Sequence, residues 1–262
     1  MVLWYRQPMR WLRPIRLNSG PRAVLLVAGC LPWAGPPALA QAGGDMQAQI
    51  LYAWQSTDMN RLQALRQSLQ QSAQGAHVAT GALYHLAHAD YRIALLRLFL
   101  HHSGAERPLQ DCVHELSDLL RSDPASAEAM ILQAACYVQL APLRRLQSAY
   151  MQLRARQRLG RAAELSPGNP RAALVEAQLE LQARGATGPV PGELDKAARL
   201  FEGIVTTSSD APDWGDAETY LMLGHAWRVQ GDMVEARNWI EKALIAAPDF
   251  KAARMELALL GH

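Results

Sequence analysis

The spacing of apolar residues over positions 217–248 predicts two amphipathic helices separated by a turn at 230–232. On the first helix, large and small residues three or four positions apart share one face: Tyr220, Leu223, Gly224 and Trp227. Glycine within a helix costs about 1 kcal/mol relative to alanine, so its place on this face indicates close approach of a neighbouring helix. The second helix carries a matching stripe, and a proline ends it: Ala236, Ile240, Ala243 and Pro248. The pattern predicts a helix–turn–helix pair in which small residues face large ones.

A spacing of small-x-x-x-large-x-x-apolar occurs four times and indicates a repeated unit. The four sets lie 43, 42 and 39 residues apart: Cys112/Leu116/Leu119, Ala155/Leu159/Ala162, Ala197/Phe201/Ile204 and Ala236/Ile240/Ala243. At least three stacked units are needed before such an array is stable. The predicted organisation is a helical pair over 41–76, repeats over about 77–124, 125–168, 169–208 and 217–248, and a capping helix over 249–262. Insertions are expected at 140–161, 184–192 and 208–216.

The order of residues over 217–248 resembles the tetratricopeptide repeat, and residues from Tyr84 onwards are similar to a group of exported bacterial tetratricopeptide proteins. The features shared with that group include a tyrosine-rich helix at 84–91, Asp123-Pro124, the segment 166–171 and Trp214-Gly215. The group is related in style to the helical-repeat lipoprotein of periplasmic substrate-binding transport systems. The resemblance implies an all-α fold, a right-handed superhelical solenoid of helix–turn–helix repeats with a C-terminal capping helix.

Residues 1–40 are predicted to form a signal peptide. They contain five arginines and no acidic residue, followed by an apolar run and the small-residue site Ala38-Leu39-Ala40. Cleavage after Ala40 predicts a periplasmic protein. The alternative is a lipobox ending at Cys30, which would anchor the chain to a membrane through a lipidated cysteine. The remaining residues carry 21 basic and 24 acidic side chains, so charge does not indicate a nucleic-acid partner.

The tetratricopeptide resemblance also implies a partner site. Positions that alternate with the packing stripe of the first helix line the concave groove of such repeats: Glu218, Leu221, Met222, His225, Arg228 and Val229. Acidic, basic, imidazole and thioether side chains together suit the binding of a protein segment. The predicted function is a non-enzymatic protein-interaction scaffold of the bacterial cell envelope, without a cofactor or a catalytic residue.

A second surface and a second function remain open. Six arginines lie on one predicted helical segment, either as a solvated face or as a dock for an acidic segment or lipid head groups: Arg144, Arg145, Arg154, Arg156, Arg158 and Arg161. Alternatively, the insertions at 140–161 and 184–192 close a pocket over the helices, as in a small-molecule-binding accessory subunit of a periplasmic transport system.

Two further patterns point to chemistry only weakly. His85 and His88 lie one helical turn apart, a spacing that a metal can use, but a site needs three or four ligands and no glutamate follows the first histidine as in H-E-x-x-H. A metal-dependent enzyme using these two histidines is therefore the weakest of the three functional alternatives. Both histidines are expected to be solvated or to lie at the edge of the core. Cys112 and Cys136 both fall on apolar helical faces, and two buried thiols are favoured over a disulfide.

Overall fold

The computed structural model describes residues 42–73, 80–184, 191–203 and 213–261, and over these ranges the chain is helical without any strand. Eleven α-helices occur there, with one 3₁₀ turn at Arg145–Gln147 between the fifth and the sixth. In order they are α1 (Ala42–Gln55), α2 (Met59–Ser72), α3 (Thr80–Phe99), α4 (Glu106–Ser122), α5 (Ala127–Leu140), α6 (Ser148–Leu165), α7 (Pro170–Arg184), α8 (Pro191–Glu202), α9 (Asp216–Gln230), α10 (Met233–Ala246) and α11 (Lys251–Leu259).

Packing follows the order of the chain. The most extensive contacts join α9 with α10, α3 with α4, and α5 with α6, and further contacts join each pair to the next. Odd-numbered helices also meet one another, α1 with α3 and α5 with α7. The prediction of an all-α fold is confirmed. The signal peptide predicted for residues 1–40 lies outside the described part of the chain.

The α9–α10 pair packs through the residues that the sequence pattern indicates. A Cβ atom at Gly224 would lie 2.5 Å from Ile240 Cγ1 and 3.0 Å from the Ala236 carbonyl oxygen, so only glycine fits the contact unstrained. The rings of Tyr220 and Trp239 stack at a centroid distance of 5.9 Å. Gly231 ends α9 in the left-handed conformation with φ of 89°, where glycine carries no steric penalty. Local sequence signals therefore account for the whole pair.

The expected insertion over 140–161 is wrong in its extent. Only residues 141–147 connect α5 to α6, and the remainder belongs to α6 itself. That helix forms because one face carries small and large apolar residues that become buried, Met151, Ala155, Leu159 and Ala162. Most of the second expected insertion, at 184–192, lies outside the described residues. In the third expected insertion, at 208–216, Trp214 is a core residue and not part of an exposed loop.

Cys112 and Cys136 are joined by a disulfide, so the expectation of two separate thiols is wrong. Cys112 lies on α4 and Cys136 on α5, two helices in extensive contact. The cysteines occupy facing positions with a Cα–Cα distance of 6.7 Å, and both are completely buried. The small-residue position of the repeat on α4 thus faces α5 directly. A disulfide closing this separation of 24 residues constrains the unfolded chain.

Candidate functional site

The predicted groove positions on α9 fall into two groups. Glu218 and Met222 are only 5% and 2% exposed, and Leu221 is also buried, so these three lie inside the protein and not on an open wall. Met222 Sδ accepts a hydrogen bond from Gln178 Nε2 of α7 at 3.6 Å. The outer positions are more accessible: His225 and Arg228 are partly buried, and Val229 is 52% exposed. The expectation that all six positions line an accessible groove is therefore wrong for the inner three.

Glu218 is buried because it pairs with an arginine from α3. Arg92 Nη1 lies 2.6 Å from Glu218 Oε1, and both side chains are almost completely removed from solvent. The other carboxylate oxygen, Glu218 Oε2, accepts a hydrogen bond from the backbone N–H of Gly215 at 3.1 Å, at the start of α9. Glu218 thus caps its own helix and neutralises a cation from a distant one.

Arg92 is held in place by further contacts from α1, α3 and the start of α9. Its Nε donates a hydrogen bond to His88 Nε2 at 2.9 Å. Its guanidinium lies over the rings of Trp54 and Trp214, at 5.6 and 5.7 Å from their centroids, distances typical of cation–π contacts. Burial and the neighbouring Arg92 charge hold the pKa of His88 well below its ordinary value. His88 is therefore neutral and accepts the hydrogen bond; the prediction that it lies at the edge of the core is wrong.

A second buried contact joins the same two parts of the chain. Trp214 Nε1 donates a hydrogen bond to Tyr84 Oη at 3.0 Å, across 130 residues of sequence. Burial raises the pKa of Tyr84 above its ordinary value, so the hydroxyl stays protonated. Tyrosine and tryptophan are large apolar side chains with one polar group each, and here both polar groups are satisfied by each other. We call the set His88, Arg92, Tyr84, Trp214 and Glu218 the interior junction.

The two ends of the described chain also meet. The ring of Phe250, directly before α11, packs against Trp54 of α1 at a centroid distance of 6.2 Å. Lys251 Nζ donates a hydrogen bond to Thr57 Oγ1 at 3.1 Å, across 194 residues. Together with the interior junction, these contacts fill the space between α1, α3 and α9 with the protein's own side chains. Glu218 is inaccessible because the interior junction surrounds it, and Met222 because it packs against Gln178 of α7.

The accessible end of α9 is tied to the last helix. Arg228 Nε donates to Glu256 Oε1 of α11 at 2.6 Å, and His225 Nδ1 lies 2.8 Å from the same oxygen. Burial raises the pKa of Glu256, but hydrogen bonds and charges from His225 and Arg228 outweigh burial and lower it overall. Arg228, one of the predicted groove residues, is therefore paired within the protein. Beyond it, the exposed apolar residues Val229, Met233 and Val234 lie at one end of the α9–α10 pair; we call them, with His225 and Arg228, the end surface.

The predicted basic surface lies on α6 and on the connection before it. Arg144 Nε pairs with Glu106 Oε1 of α4 at 2.7 Å, and Arg161 pairs with Glu164. Among the described residues, no carboxylate lies within ion-pairing distance of the other four arginines: Arg145, Arg154, Arg156 and Arg158. Leu146 is fully exposed, and Tyr150 and Leu153 are more than half exposed. A surface depression of about 470 Å³ is lined, among the described residues, by the segment 143–147.

Acidic residues gather at one further place, between α2, α3 and α4. Arg66 Nε pairs with Asp90 Oδ1 at 2.6 Å, and Arg66 Nη2 lies 3.4 Å from Asp111 Oδ2. Burial raises the pKa of Asp90, an effect that Arg66 opposes. Burial and then the Asp90 charge raise the pKa of the neighbouring Glu115. Both shifts have the same direction, since burial favours the protonated form of these two carboxyl groups.

Sequence reasoning missed the interior junction, although one signal was present. Arg92 is the only arginine or lysine in the mainly apolar stretch 83–96, and a buried cation requires a partner. The pattern does not say which residue that partner is, since Glu218 lies 126 positions away.

Neither a membrane span nor a metal cluster is found where the structure describes the chain. None of the helices there is long and apolar enough to cross a bilayer. No three histidine, cysteine, aspartate or glutamate residues there are grouped so as to hold a metal ion. The chain matches no protein-family model, and no curated protein is significantly similar to it.

Proposed function

We propose that the protein is a non-enzymatic interaction scaffold, a right-handed solenoid of tetratricopeptide-like helix pairs that holds a protein segment in the bacterial cell envelope. The observation that carries the proposal is the interlock of α9 and α10, in which Ile240 fills the space left by Gly224. Corresponding small and large residues are buried on α4, α6 and α8, as stacked repeats of one kind require.

The partner segment binds at the end surface. Of the predicted groove residues, His225, Arg228 and Val229 remain reachable there, and Met233 and Val234 extend the apolar area. An apolar patch beside a charged pair suits a partner segment that inserts an apolar side chain and places polar groups against Arg228 and Glu256. Glu218 and Met222 contribute from inside, because they fix the position of α9.

A pair of matched variants tests this assignment. Val229→Asp places a charge in the end surface, whereas Ile245→Asp places the same charge on an exposed apolar position of α10 outside it. Both sites are exposed, so each change is expected to alter the free energy of unfolding by only about 0.5 kcal/mol. Crosslinking and affinity capture from the native envelope should recover a partner with wild type and with Ile245→Asp, and lose it with Val229→Asp.

Two outcomes would contradict the proposal. Equal capture by Val229→Asp and Ile245→Asp would remove the end surface as the binding site. Failure of the wild-type protein to capture any specific partner would contradict the scaffold function itself.

Export completes the proposal. A signal peptide cleaved after Ala40 makes the protein periplasmic, and lipidation of Cys30 is the alternative processing. The mass of the protein purified from its host distinguishes an N-terminus at Gln41 from an acylated Cys30. A protein that retains Met1 would contradict both.

A further inference from the structure

We infer that the exposed face of α6, with the connection before it, docks the protein on an anionic lipid bilayer. The face consists of four exposed residues, Arg145, Leu146, Tyr150 and Leu153, and of two half-buried residues at its edge, Arg154 and Arg158. It lies apart from the end surface, and the inference does not depend on the proposed partner segment.

The first step is the helical geometry. At 100° per residue, Tyr150, Leu153, Arg154 and Arg158 fall on one side of α6. The adjoining side, which begins next to Arg158, packs into the core through residues that are buried: Met151, Ala155, Leu159 and Ala162. Tyr150 and Leu153 are more than half exposed, whereas Arg154 and Arg158 are half-buried and their Nε atoms have no access to solvent, so α6 presents apolar side chains with cations along one edge.

The second step is charge. Residues 141–163 contain six arginines and no acidic residue, whereas the rest of the chain is net acidic. The pairs with Glu106 and Glu164 neutralise two of these arginines, Arg144 and Arg161. The face therefore keeps an uncompensated positive charge, and its occupant must be anionic.

The third step is shape. Leu146 projects completely into solvent, and Tyr150 and Leu153 stand beside it. Protruding aliphatic and aromatic side chains flanked by arginines are typical of segments that enter the boundary between lipid head groups and acyl chains. The depression beside Leu146 has Arg144 and Arg145 on its wall, together with Leu143, a combination that suits a phosphate head group above apolar atoms. A folded acidic protein would instead need a pocket for Leu146, so the bilayer is the better fit.

Vesicle flotation tests the inference, with vesicles of phosphatidylcholine alone and vesicles that also contain phosphatidylglycerol. The full chain should bind the mixed vesicles, bind the neutral ones much less, and be released by high salt, which screens surface charges. The full chain also contains the basic segment 1–40, so the decisive measurement is the difference between variants.

Two variants should lose binding and two should not. The double variant Arg154→Glu/Arg158→Glu should lower the partition coefficient at least about tenfold, because each cation near an anionic surface contributes to binding. Leu146→Asp should also lower it, since that side chain no longer enters the bilayer. Arg237→Glu and Ile245→Asp make matched changes on α10 and should bind like wild type.

Equal binding by all four variants, or no preference for the anionic vesicles, would overturn the inference. Capture of an acidic protein by the α6 face in the absence of lipid, without vesicle binding, would also overturn it and assign the face to a protein partner. If the wild-type protein does not bind vesicles but still captures its partner through the end surface, the scaffold function stands and only the bilayer inference fails. The two proposals therefore fail separately.

Discussion

The α9–α10 pair and the interior junction both bury large side chains, but they are held together by different interactions. In the pair, Gly224 and Ile240 are 16 positions apart and meet through shape alone. In the junction, Arg92 and Glu218 are 126 positions apart and meet through charge, within a set of aromatic rings. Apolar contacts tolerate small shifts, whereas a buried ion pair is stable only when its geometry and hydrogen bonds are complete. The junction therefore permits fewer arrangements of α3 against α9 than apolar packing would.

The largest effect is expected from Arg92→Met, which keeps the length of the side chain and removes its charge. Glu218 is then left buried without its cation, and breaking such a pair destabilises a protein by about 3–5 kcal/mol. Chemical denaturation at neutral pH, followed by circular dichroism, measures the loss.

The double variant Arg92→Met/Glu218→Gln is the control. It removes both charges, so it should recover part of the stability and make the two changes strongly non-additive. Additive losses of stability would mean that Arg92 and Glu218 act independently. They would contradict the conclusion that charge holds the interior junction together.

An intermediate effect is expected in the pair. Gly224→Ala places a methyl group 2.5 Å from Ile240 Cγ1 and 3.0 Å from a carbonyl oxygen, and overpacking of this kind costs about 1–3 kcal/mol. Gly160→Ala is the matched change on α6, where nothing lies within 4 Å of the new methyl group. It should stabilise the helix by up to about 1 kcal/mol. Thermal unfolding of the two variants should therefore shift in opposite directions; shifts of the same sign would contradict the close contact.

The smallest effect concerns the acidic cluster between α2, α3 and α4. The pKa of Glu115 is raised in the folded protein by burial and by Asp90, above the ordinary value of 4.5. The folded state consequently binds more protons than the unfolded chain above that pH, and stability should fall as the pH rises towards the folded-state pKa. Each pKa unit of difference corresponds to about 1.4 kcal/mol.

Glu115→Gln removes this titration and keeps a neutral side chain of the same shape. Its melting temperature relative to wild type should rise between pH 5 and pH 8, whereas the exposed control Glu241→Gln should show a difference that does not change with pH. A parallel pH profile for Glu115→Gln and wild type would show that Glu115 is ionised in the folded protein.

Much of the secondary structure was predictable because its signals are local. The stripe through Ile240 and the proline at 248 predict α10 nearly to its ends, and the Asp123-Pro124 step predicts where α4 stops. The candidate sites were less predictable. Val229 is exposed, but the same periodicity put Glu218 and Met222 on an open wall, where the structure buries them. A helical pattern separates two faces without saying what covers the second.

The sequence by itself determined most of the helical segments and how α9 and α10 interlock, because those contacts join residues that are close in the chain and repeat with the helical period. Only the tertiary structure decided that Cys112 bonds to Cys136, that Trp214 reaches Tyr84, and that Phe250 covers Trp54. The last two contacts depend on the angles between successive helix pairs, which add up over more than a hundred residues. No local pattern specifies that sum, and it is this sum that closes the interior and leaves the end surface and the α6 face exposed.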